Sequence, residues 1–127
     1  MEASAYSARL LEHYRSPRNV GTLPDADGIA VRENQVCGDV LQFFVRLTEG
    51  TIQEVRFKAQ GCIPTVALAS YATEWARGKK KGEVERLDLA HFEETLGSLP
   101  PHKTHAAALV LETLRAALLD CESGSSN

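Results

Sequence analysis

The sequence predicts an α+β domain in which a small antiparallel three-stranded sheet packs its helices on one face. Helical spacing of apolar residues comes first, strand alternation follows, and helical spacing returns toward the C-terminal end. The chain has 127 residues, the length of one domain, and 43% of them are hydrophobic, which is ample for a packed core. We expect this domain to span residues 1–121, followed by a Gly/Ser-rich disordered tail at 122–127.

The first half of the chain provides one helix and the sheet. Apolar residues at helical spacing predict a helix from Ser4, its candidate N-cap, to Arg15. Ile29 to Arg32 is typical of an edge strand. Alternating apolar and polar residues over 40–47 and 54–59 flank Glu49-Gly50, which predicts a hairpin with one buried face.

The second half of the chain is predicted to be helical. Pro64 suits the first turn of a helix that ends near Gly78, and residues 88–96 predict a short helix. Leu99-Pro100-Pro101 is expected to be extended, because proline cannot continue a helix. The last helix is expected from about His102 to Leu119.

Charge and composition argue against nucleic-acid and membrane partners. The net charge is −3, and the only basic cluster, Lys79-Lys80-Lys81, is typical of a solvated loop between helices or, alternatively, of a contact with an acidic protein. No apolar run approaches the roughly 20 residues of a membrane span. The N-terminus lacks the layout of a signal peptide, which predicts a cytoplasmic protein. Three cysteines in a reducing compartment favour metal binding or thiol chemistry over cross-linking.

Three short segments carry side chains that bind a borderline-soft metal ion such as zinc or iron. They are Cys37-Gly38-Asp39, Gly61-Cys62 and Lys103-Thr104-His105, each at a predicted turn or element end. Cys62 precedes the helix that Pro64 opens, and the partial positive charge of a helix N-terminus predicts a lowered pKa for its thiol. Cys62 is therefore the better candidate nucleophile or ligand of the two thiols. Taken alone, Cys37 and Cys62 could each be a buried structural cysteine, and His105 could be a surface or capping histidine.

The remaining thiol and imidazoles are not assigned to this site. His13, His91 and His102 have no thiol neighbour in the sequence and are expected at the surface. Cys121 is sixteen residues beyond His105, which is about 24 Å along one helix. We interpret it as an incidental thiol.

Many short segments, in order, resemble the NifU-like (IscU-like) iron–sulfur cluster assembly scaffold family over nearly the full length of the chain. The matching segments are Tyr6-Ser7, Leu11-Glu12-His13-Tyr14, Pro17-Arg18-Asn19-Val20-Gly21, Asp25-Ala26-Asp27-Gly28, Cys37-Gly38-Asp39, Val55-Arg56-Phe57-Lys58-Ala59, Gly61-Cys62, Thr73-Glu74-Trp75, Gly78-Lys79, Leu99-Pro100-Pro101, Lys103 and His105. The resemblance implies a small α+β protein that builds a [2Fe–2S] cluster on loop-borne cysteines and an aspartate, with a histidine nearby.

By this resemblance, Cys37, Asp39, Cys62 and His105 are the residues that bind the metal or cluster, and Cys62 is a candidate persulfide acceptor. The implied partners are a cysteine desulfurase, which supplies sulfur, and an Hsp70-type chaperone or co-chaperone. The chaperone would recognise the segment Leu99-Pro100-Pro101-His102-Lys103.

The sequence departs from the family pattern at the site itself. Ala106 replaces the cysteine that follows the histidine, Ile63-Pro64 replace small, flexible residues, and Gln35 replaces a proline. Loss of a thiolate matters because cluster iron is normally held by thiolates. Two thiolates, one carboxylate and one imidazole are nevertheless sufficient for a tetrahedral zinc ion.

Three functions follow as hypotheses. The first is a scaffold or carrier that binds iron or a [2Fe–2S] cluster transiently, without turnover of a small substrate. The second is a zinc-bound sulfur acceptor, in which Cys62 takes sulfur from the desulfurase. The third is a degenerate homologue that acts only through protein–protein contacts, because Leu99-Pro100-Pro101 and Lys103 are retained beside an altered site.

Overall fold

The computed structural model describes residues 6–125 and has the predicted order of one helix, a sheet and further helices. The strands are β1 (Gly28–Asn34), β2 (Asp39–Thr48) and β3 (Thr51–Gln60), and the helices are α1 (Ala8–Arg15), α2 (Ile63–Ala76), α3 (Lys81–Glu85), α4 (Leu89–Leu96) and α5 (Thr104–Ser125), with a 3-10 helix at Pro101–Lys103. The strands form one antiparallel sheet in the order β1-β2-β3. The predicted fold class is therefore confirmed.

The β2–β3 hairpin fixes the register of the sheet. Its two turn residues, Glu49 and Gly50, both have positive φ, at 51° and 79°. This turn geometry matches the right-handed twist of the flanking strands. Phe43 and Phe57 lie opposite each other in the register, with ring centroids 6.3 Å apart, and both are buried. This aromatic pair lies at the centre of the face that the helices cover.

Helices cover one face of the sheet, as predicted. α5 packs against β1 and β2, α2 packs against β3 and α5, and α1 packs against α2. The inward side chains of the sheet are buried, whereas Ile29 and Val31 on the outer face are 42% and 47% exposed. Because neighbouring residues of a strand point to opposite faces, this alternation determines which side chains reach the core.

α2 lies in the middle of the helical layer, with its N-terminus at the candidate site. Small residues such as Ala67, Ala69 and Ser70 are fully buried along it, because the sheet, α1 and α5 surround it. The chain leaves α2 near Gly78. This residue has φ 84°, a left-handed conformation that does not continue a helix and that glycine adopts readily. The predicted start at Pro64 and end near Gly78 are both confirmed.

The first helix begins later than predicted. Its N-cap is Ser7, whose Oγ accepts the N–H of Leu10 at 3.0 Å. The predicted N-cap, Ser4, lies outside the described residues. The Ser7 hydroxyl also donates to the carbonyl of Leu96 at 2.5 Å. This bond ties the start of α1 to the end of α4, a tertiary contact that sequence spacing does not reveal.

The C-terminal region is more helical than predicted. Pro101 is the first residue of a 3-10 helix and is not extended, and α5 continues past Leu119 to Ser125. Residues 122–125, which were assigned to a disordered tail, are therefore helical, and residues 126 and 127 lie outside the described part of the chain. The helix continues because Leu118 and Cys121 are buried in the core. Neither α5 nor any other helix within residues 6–125 has the length and apolar character needed to cross a membrane.

The basic cluster lies at the connection between α2 and α3, and its three side chains differ in their environment. Lys79 Nζ donates to the carbonyl of Trp75 at 2.8 Å and lies 4.6 Å from the centre of its ring. Lys80 is the N-cap of α3, a short helix that the sequence did not predict, and Lys81 pairs with Glu85 and Glu122. Lys80 is exposed, in agreement with the predicted solvated loop, whereas the side chains of Lys79 and Lys81 make contacts within the chain.

Candidate metal site

Three chain segments that are far apart in sequence meet at the N-terminus of α2. Asp39 is the first residue of β2, Cys62 is the N-cap of α2, and His105 lies in the first turn of α5. One ligand atom from each of these side chains lies within 4.8 Å of the ligand atoms of the other two. The fold therefore brings together a carboxylate, a thiol and an imidazole.

Cys37 lies beside this cluster and is not one of its three members. It is exposed in the turn between β1 and β2, where the side chain of Asn34 accepts the N–H of Cys37 at 3.1 Å. Gly38 completes the turn with φ 77°. Cys37 Sγ is 2.9 Å from His105 Nε2, so Cys37 reaches the cluster through the imidazole.

The imidazole of His105 is oriented by a backbone carbonyl. Nδ1 lies 3.1 Å from the carbonyl oxygen of His102. A carbonyl can only accept, so Nδ1 carries the proton and Nε2 of the neutral ring has a free lone pair. Metal-binding histidines typically donate their other ring N–H to a carbonyl in this way, which fixes the orientation of the ring. Nε2 can therefore accept the Cys37 proton or bind a metal ion.

Asp39 is a buried carboxylate with several donors. Its side chain is 4% exposed, and Oδ2 accepts from Thr65 Oγ1 at 2.7 Å and from Cys62 Sγ at 3.1 Å. Burial by itself would raise the pKa of the carboxyl, but the hydrogen bonds from Thr65 and Cys62 outweigh it and hold the pKa below its ordinary value. Asp39 is therefore an anion at neutral pH.

Gly61 makes room for this carboxylate. A Cβ atom at Gly61 would lie 2.7 Å from Cγ of Asp39 and 3.0 Å from each carboxylate oxygen. A Cβ atom essentially never approaches another heavy atom as closely as 2.7 Å, so any larger residue at this position requires Asp39 to move. The glycine before Cys62 thus serves the close approach of the backbone to Asp39.

The thiol of Cys62 is less acidic than the sequence predicted. Burial raises its pKa above the ordinary value, and the neighbouring Asp39 carboxylate raises it further. The hydrogen bonds with Thr65 act in the opposite direction but are weaker. The prediction from the helix N-terminus was wrong because desolvation and a like charge outweigh the partial charge of the helix. A bound cation would reverse this balance, because it replaces the proton.

The donor set fits a thiophilic divalent ion. Thiolate, imidazole and carboxylate are all zinc ligands, and thiolate and imidazole also bind iron in protein clusters. Ala106, which follows His105, is fully buried and provides no donor. The site therefore offers two thiols, Cys37 and Cys62, and not three.

Sequence reasoning missed Thr65, the residue that contacts both Asp39 and Cys62. Its hydroxyl is 3.4 Å from Cys62 Sγ, and the residue is fully buried. The available signal was spacing, because residues three apart on a helix are neighbours and Thr65 is three residues after Cys62. That signal is weak in isolation, since threonine is common in the first turn of helices.

Two of the three other histidines differ from the predicted surface positions. His13 is buried, with Nδ1 2.8 Å from Ser70 Oγ, and His91 packs between the rings of Tyr71 and Trp75. His102 is exposed, as predicted. Cys121 is buried near the far end of α5, and burial raises the pKa of its thiol to about 11.

The burial of His13 predicts a pH dependence of stability. Desolvation lowers the pKa of His13 below its ordinary value of 6.5, and the positive charge of Arg18 lowers it further, against an opposing effect of Glu74. Below about pH 6.5 the unfolded chain therefore binds more protons at this position than the folded chain, so stability is lost as pH falls toward the folded pKa. Chemical denaturation of wild type and His13→Gln at pH 7.5, 6.5 and 5.5 checks this.

With decreasing pH, the free energy of unfolding of wild type is expected to fall more steeply than that of His13→Gln. The two slopes should differ by at most about 1.4 kcal/mol per pH unit. His102→Gln, at an exposed position, serves as the control and should keep the wild-type slope. Equal slopes for wild type and His13→Gln would show that His13 does not cause the dependence.

The predicted chaperone-recognition segment is only partly accessible. Leu99 is 6% exposed and belongs to the core, whereas Pro101 and His102 are exposed. The 3-10 helix at Pro101–Lys103 leads directly into α5 and to His105. This segment is therefore continuous with the helix that carries His105.

Comparisons with known proteins show the family of the chain. The family model described as NifU-like N terminal domain matches residues 5–125. The iron-sulfur cluster assembly scaffold protein IscU 1 of Archaeoglobus fulgidus is 36% identical over 115 residues, which cover 91% of this chain and 75% of that protein. IscU of Escherichia coli K12 is 36% identical over 123 residues, which cover 94% of this chain and 95% of that protein.

Solved structures agree on the fold. The N-terminal NifU-like protein from Brucella abortus superposes with a TM-score of 0.77 at 16% identity, over 91% of this chain and 93% of that chain. A putative scaffold for the SUF system from Fervidobacterium islandicum AW-1 gives a TM-score of 0.76 at 19% identity, over 93% and 99% of the two chains. Taken with the family match and the two scaffold relatives, these findings show that the chain belongs to the NifU-like N-terminal domain family.

Proposed function

We propose that this chain is an iron–sulfur cluster assembly scaffold that holds iron or a [2Fe–2S] cluster as cargo at Cys37, Asp39, Cys62 and His105. The observation that carries the proposal is the convergence of three donor atoms from distant segments within 4.8 Å of one another. Such an arrangement has little use in a core, because it leaves a buried carboxylate beside a thiol that it makes less acidic. A cation bound between Asp39 and Cys62 would stabilise the ionised form of both side chains.

Each residue has a distinct part in this function. Asp39 supplies a permanent negative charge, and Cys62 becomes a thiolate ligand when iron replaces its proton. His105 presents Nε2 to the ion, and Cys37 adds the second thiolate from the exposed turn between β1 and β2. The protein catalyses no turnover of a small substrate in this account. It binds iron and sulfur at one site, where they are assembled into the cluster.

Sulfur delivery requires one thiol to attack a desulfurase persulfide. The attacking thiolate forms a bond to the outer sulfur, and the desulfurase cysteine leaves as a thiolate. The sulfane sulfur is therefore transferred to this chain without any external oxidant or reductant. Cys62 is the acceptor expected from the sequence. Exposure favours Cys37 as well, because its Sγ is accessible and its proton can pass to His105 Nε2. Mass spectrometry of persulfide on Cys37→Ser and Cys62→Ser distinguishes the two acceptors.

The proposed partners are a cysteine desulfurase and an Hsp70-type chaperone with its co-chaperone. A chaperone that binds the segment Leu99 to Lys103 must release Leu99 from the core, because that side chain is buried in the fold. Such release would pull on the start of α5 and on His105. This coupling gives the chaperone a physical route to discharge the cargo.

Anaerobic reconstitution tests the proposal. The full chain is incubated with ferrous iron, cysteine and a cysteine desulfurase, and cluster formation is followed by visible absorption. A coloured product that retains iron and sulfide after desalting is expected. A colourless product that carries full zinc occupancy would contradict the scaffold proposal.

Restoring a thiolate next to His105 is expected to strengthen retention of the cluster. Ala106→Cys adds the third thiol, and a charged sulfur ligand binds cluster iron better than a neutral donor. The half-life of the visible absorption after addition of a chelator measures retention, and it should lengthen relative to wild type. Ala108→Cys, at an exposed position two residues further along α5, is the control. If both variants behave as wild type, position 106 does not contribute to the site.

A zinc-bound sulfur acceptor is the second candidate. The specific observation in its favour is that Ala106 leaves only two thiols near Asp39 and His105, which is a set that a single zinc ion satisfies. This candidate predicts one zinc per chain after aerobic purification, together with a persulfide on Cys62. A chain that binds neither zinc nor iron would instead support a role through protein contacts alone.

A further inference from the structure

Thr65 is a buried hydroxyl aimed at the carboxylate of the metal site. It occupies the third residue of α2 after the N-cap Cys62, and it is fully buried. Its Oγ1 donates to Asp39 Oδ2 at 2.7 Å, although a hydroxyl in the first turn of a helix is free to bond to the backbone instead. The bond is therefore a specific feature of this site.

Both side-chain donors to Asp39 address the same oxygen. Oδ2 receives Thr65 Oγ1 and Cys62 Sγ, and Oδ1 receives neither of them. When Cys62 binds a metal ion it loses its proton, and its sulfur can no longer donate. Thr65 then remains as the side-chain donor that holds Oδ2.

We propose that Thr65 is a positioning residue for the metal ion: its hydroxyl fixes the Asp39 carboxylate in the orientation that places it beside Cys62 Sγ, where both can bind the ion. This inference rests on the proposed function of the cluster as a metal site. The hydroxyl limits rotation of the carboxylate about its last bond. Gly61 leaves space for the carboxylate, because a Cβ atom at this position would collide with it. Metal-binding carboxylates are commonly held by such outer-shell hydrogen bonds, whose loss typically weakens affinity about 10- to 100-fold.

The test compares three variants of the full chain by cobalt(II) titration in competition with a chelator. Thr65→Val removes the hydroxyl at nearly constant volume, and Thr65→Ser keeps it. We expect Thr65→Val to bind cobalt about 10- to 100-fold more weakly than wild type and Thr65→Ser to bind close to wild type. Thr113→Val is the matched control, because Thr113 is equally buried and donates to the carbonyl of Leu109 at 2.6 Å, within α5.

The control separates positioning from general stability. Removal of either buried hydroxyl can lower the unfolding temperature of the metal-free chain, but only Thr65 touches a site residue. If Thr65→Val does not fold, Thr65→Ala takes its place in the comparison with Thr65→Ser. Equal cobalt affinity of wild type and Thr65→Val, or an equal loss in Thr113→Val, overturns the inference. Absence of cobalt binding in wild type overturns the proposed function, and this inference with it.

Discussion

Replacing Cys62 with serine is expected to abolish stable metal binding while the fold is retained. Cys62 Sγ is one of the three donor atoms of the cluster and the only sulfur among them. A serine hydroxyl does not ionise at neutral pH, so the variant loses a negative ligand and affinity for zinc or cobalt should fall by more than about 100-fold. Serine still donates a hydrogen bond, so Asp39 keeps its donor. The measurement is metal affinity by chelator competition, with thermal unfolding of the metal-free chain as a check on folding.

The three thiols provide internal controls for this prediction. Cys37 is a proposed ligand that lies outside the group of three converging donors and contacts His105, so Cys37→Ser is expected to weaken binding less than Cys62→Ser. Cys121 is buried away from the site, and Cys121→Ala should leave metal affinity unchanged. A Cys62→Ser variant that binds metal as tightly as Cys121→Ala would exclude Cys62 as a ligand.

Replacing Gly61 with alanine is expected to damage both the site and the fold. The new Cβ would lie 2.7 Å from Cγ of Asp39, and Asp39 cannot yield easily because it is buried and held by Thr65. Overpacking of this kind costs about 1–3 kcal/mol of stability. Displacement of the carboxylate should also weaken metal affinity roughly 10- to 100-fold. Urea denaturation and cobalt titration measure the two effects separately.

Gly82→Ala is the matched control for this substitution. Gly82 lies within α3, and a Cβ there would meet no atom within 4 Å. Alanine is a better helix former than glycine, so stability should stay equal or rise by up to about 1 kcal/mol. The account of Gly61 is wrong if Gly61→Ala matches Gly82→Ala in both stability and cobalt affinity.

Local patterns in the sequence predicted the sheet and the helices that flank it. Strand alternation and the Glu49-Gly50 turn predicted the β2–β3 hairpin, because both depend on neighbouring residues alone. The extent of α5 was underestimated for a different reason. Its last turns are stabilised by burial of Leu118 and Cys121 and by the Lys81–Glu122 ion pair, which are tertiary contacts.

The convergence of Asp39, Cys62 and His105 agrees with the sequence prediction, but their electrostatics were not predicted. The segments around Asp39, Cys62 and His105 carried ligand-type side chains at element ends, and that pattern is visible in the sequence. The direction of the Cys62 pKa shift was not, because it depends on how deeply the thiol is buried and how close Asp39 lies. The burial of His13 escaped prediction for the same reason, since its partner Ser70 is 57 residues away.

The two-thiol composition has a consequence for the cargo. With Ala106 in place of a ligand, the protein donates less negative charge to a cluster than a three-cysteine site, so cluster release is expected to be easy and retention short. A scaffold benefits from ready release, whereas a storage or electron-transfer protein does not. In the proposed function, the chain is therefore expected to hold its cluster less tightly than a three-cysteine site does.

The most direct test of whether Asp39, Cys62 and His105 bind one ion is zinc K-edge X-ray absorption. It is measured on the full chain loaded with one equivalent of zinc. The account predicts a mixed first shell, with sulfur at about 2.3 Å and lighter nitrogen or oxygen donors at about 2.0–2.2 Å. The sulfur contribution should shrink in Cys62→Ser and stay intact in Cys121→Ala. A first shell of nitrogen and oxygen alone, or one that Cys62→Ser leaves unchanged, would contradict it.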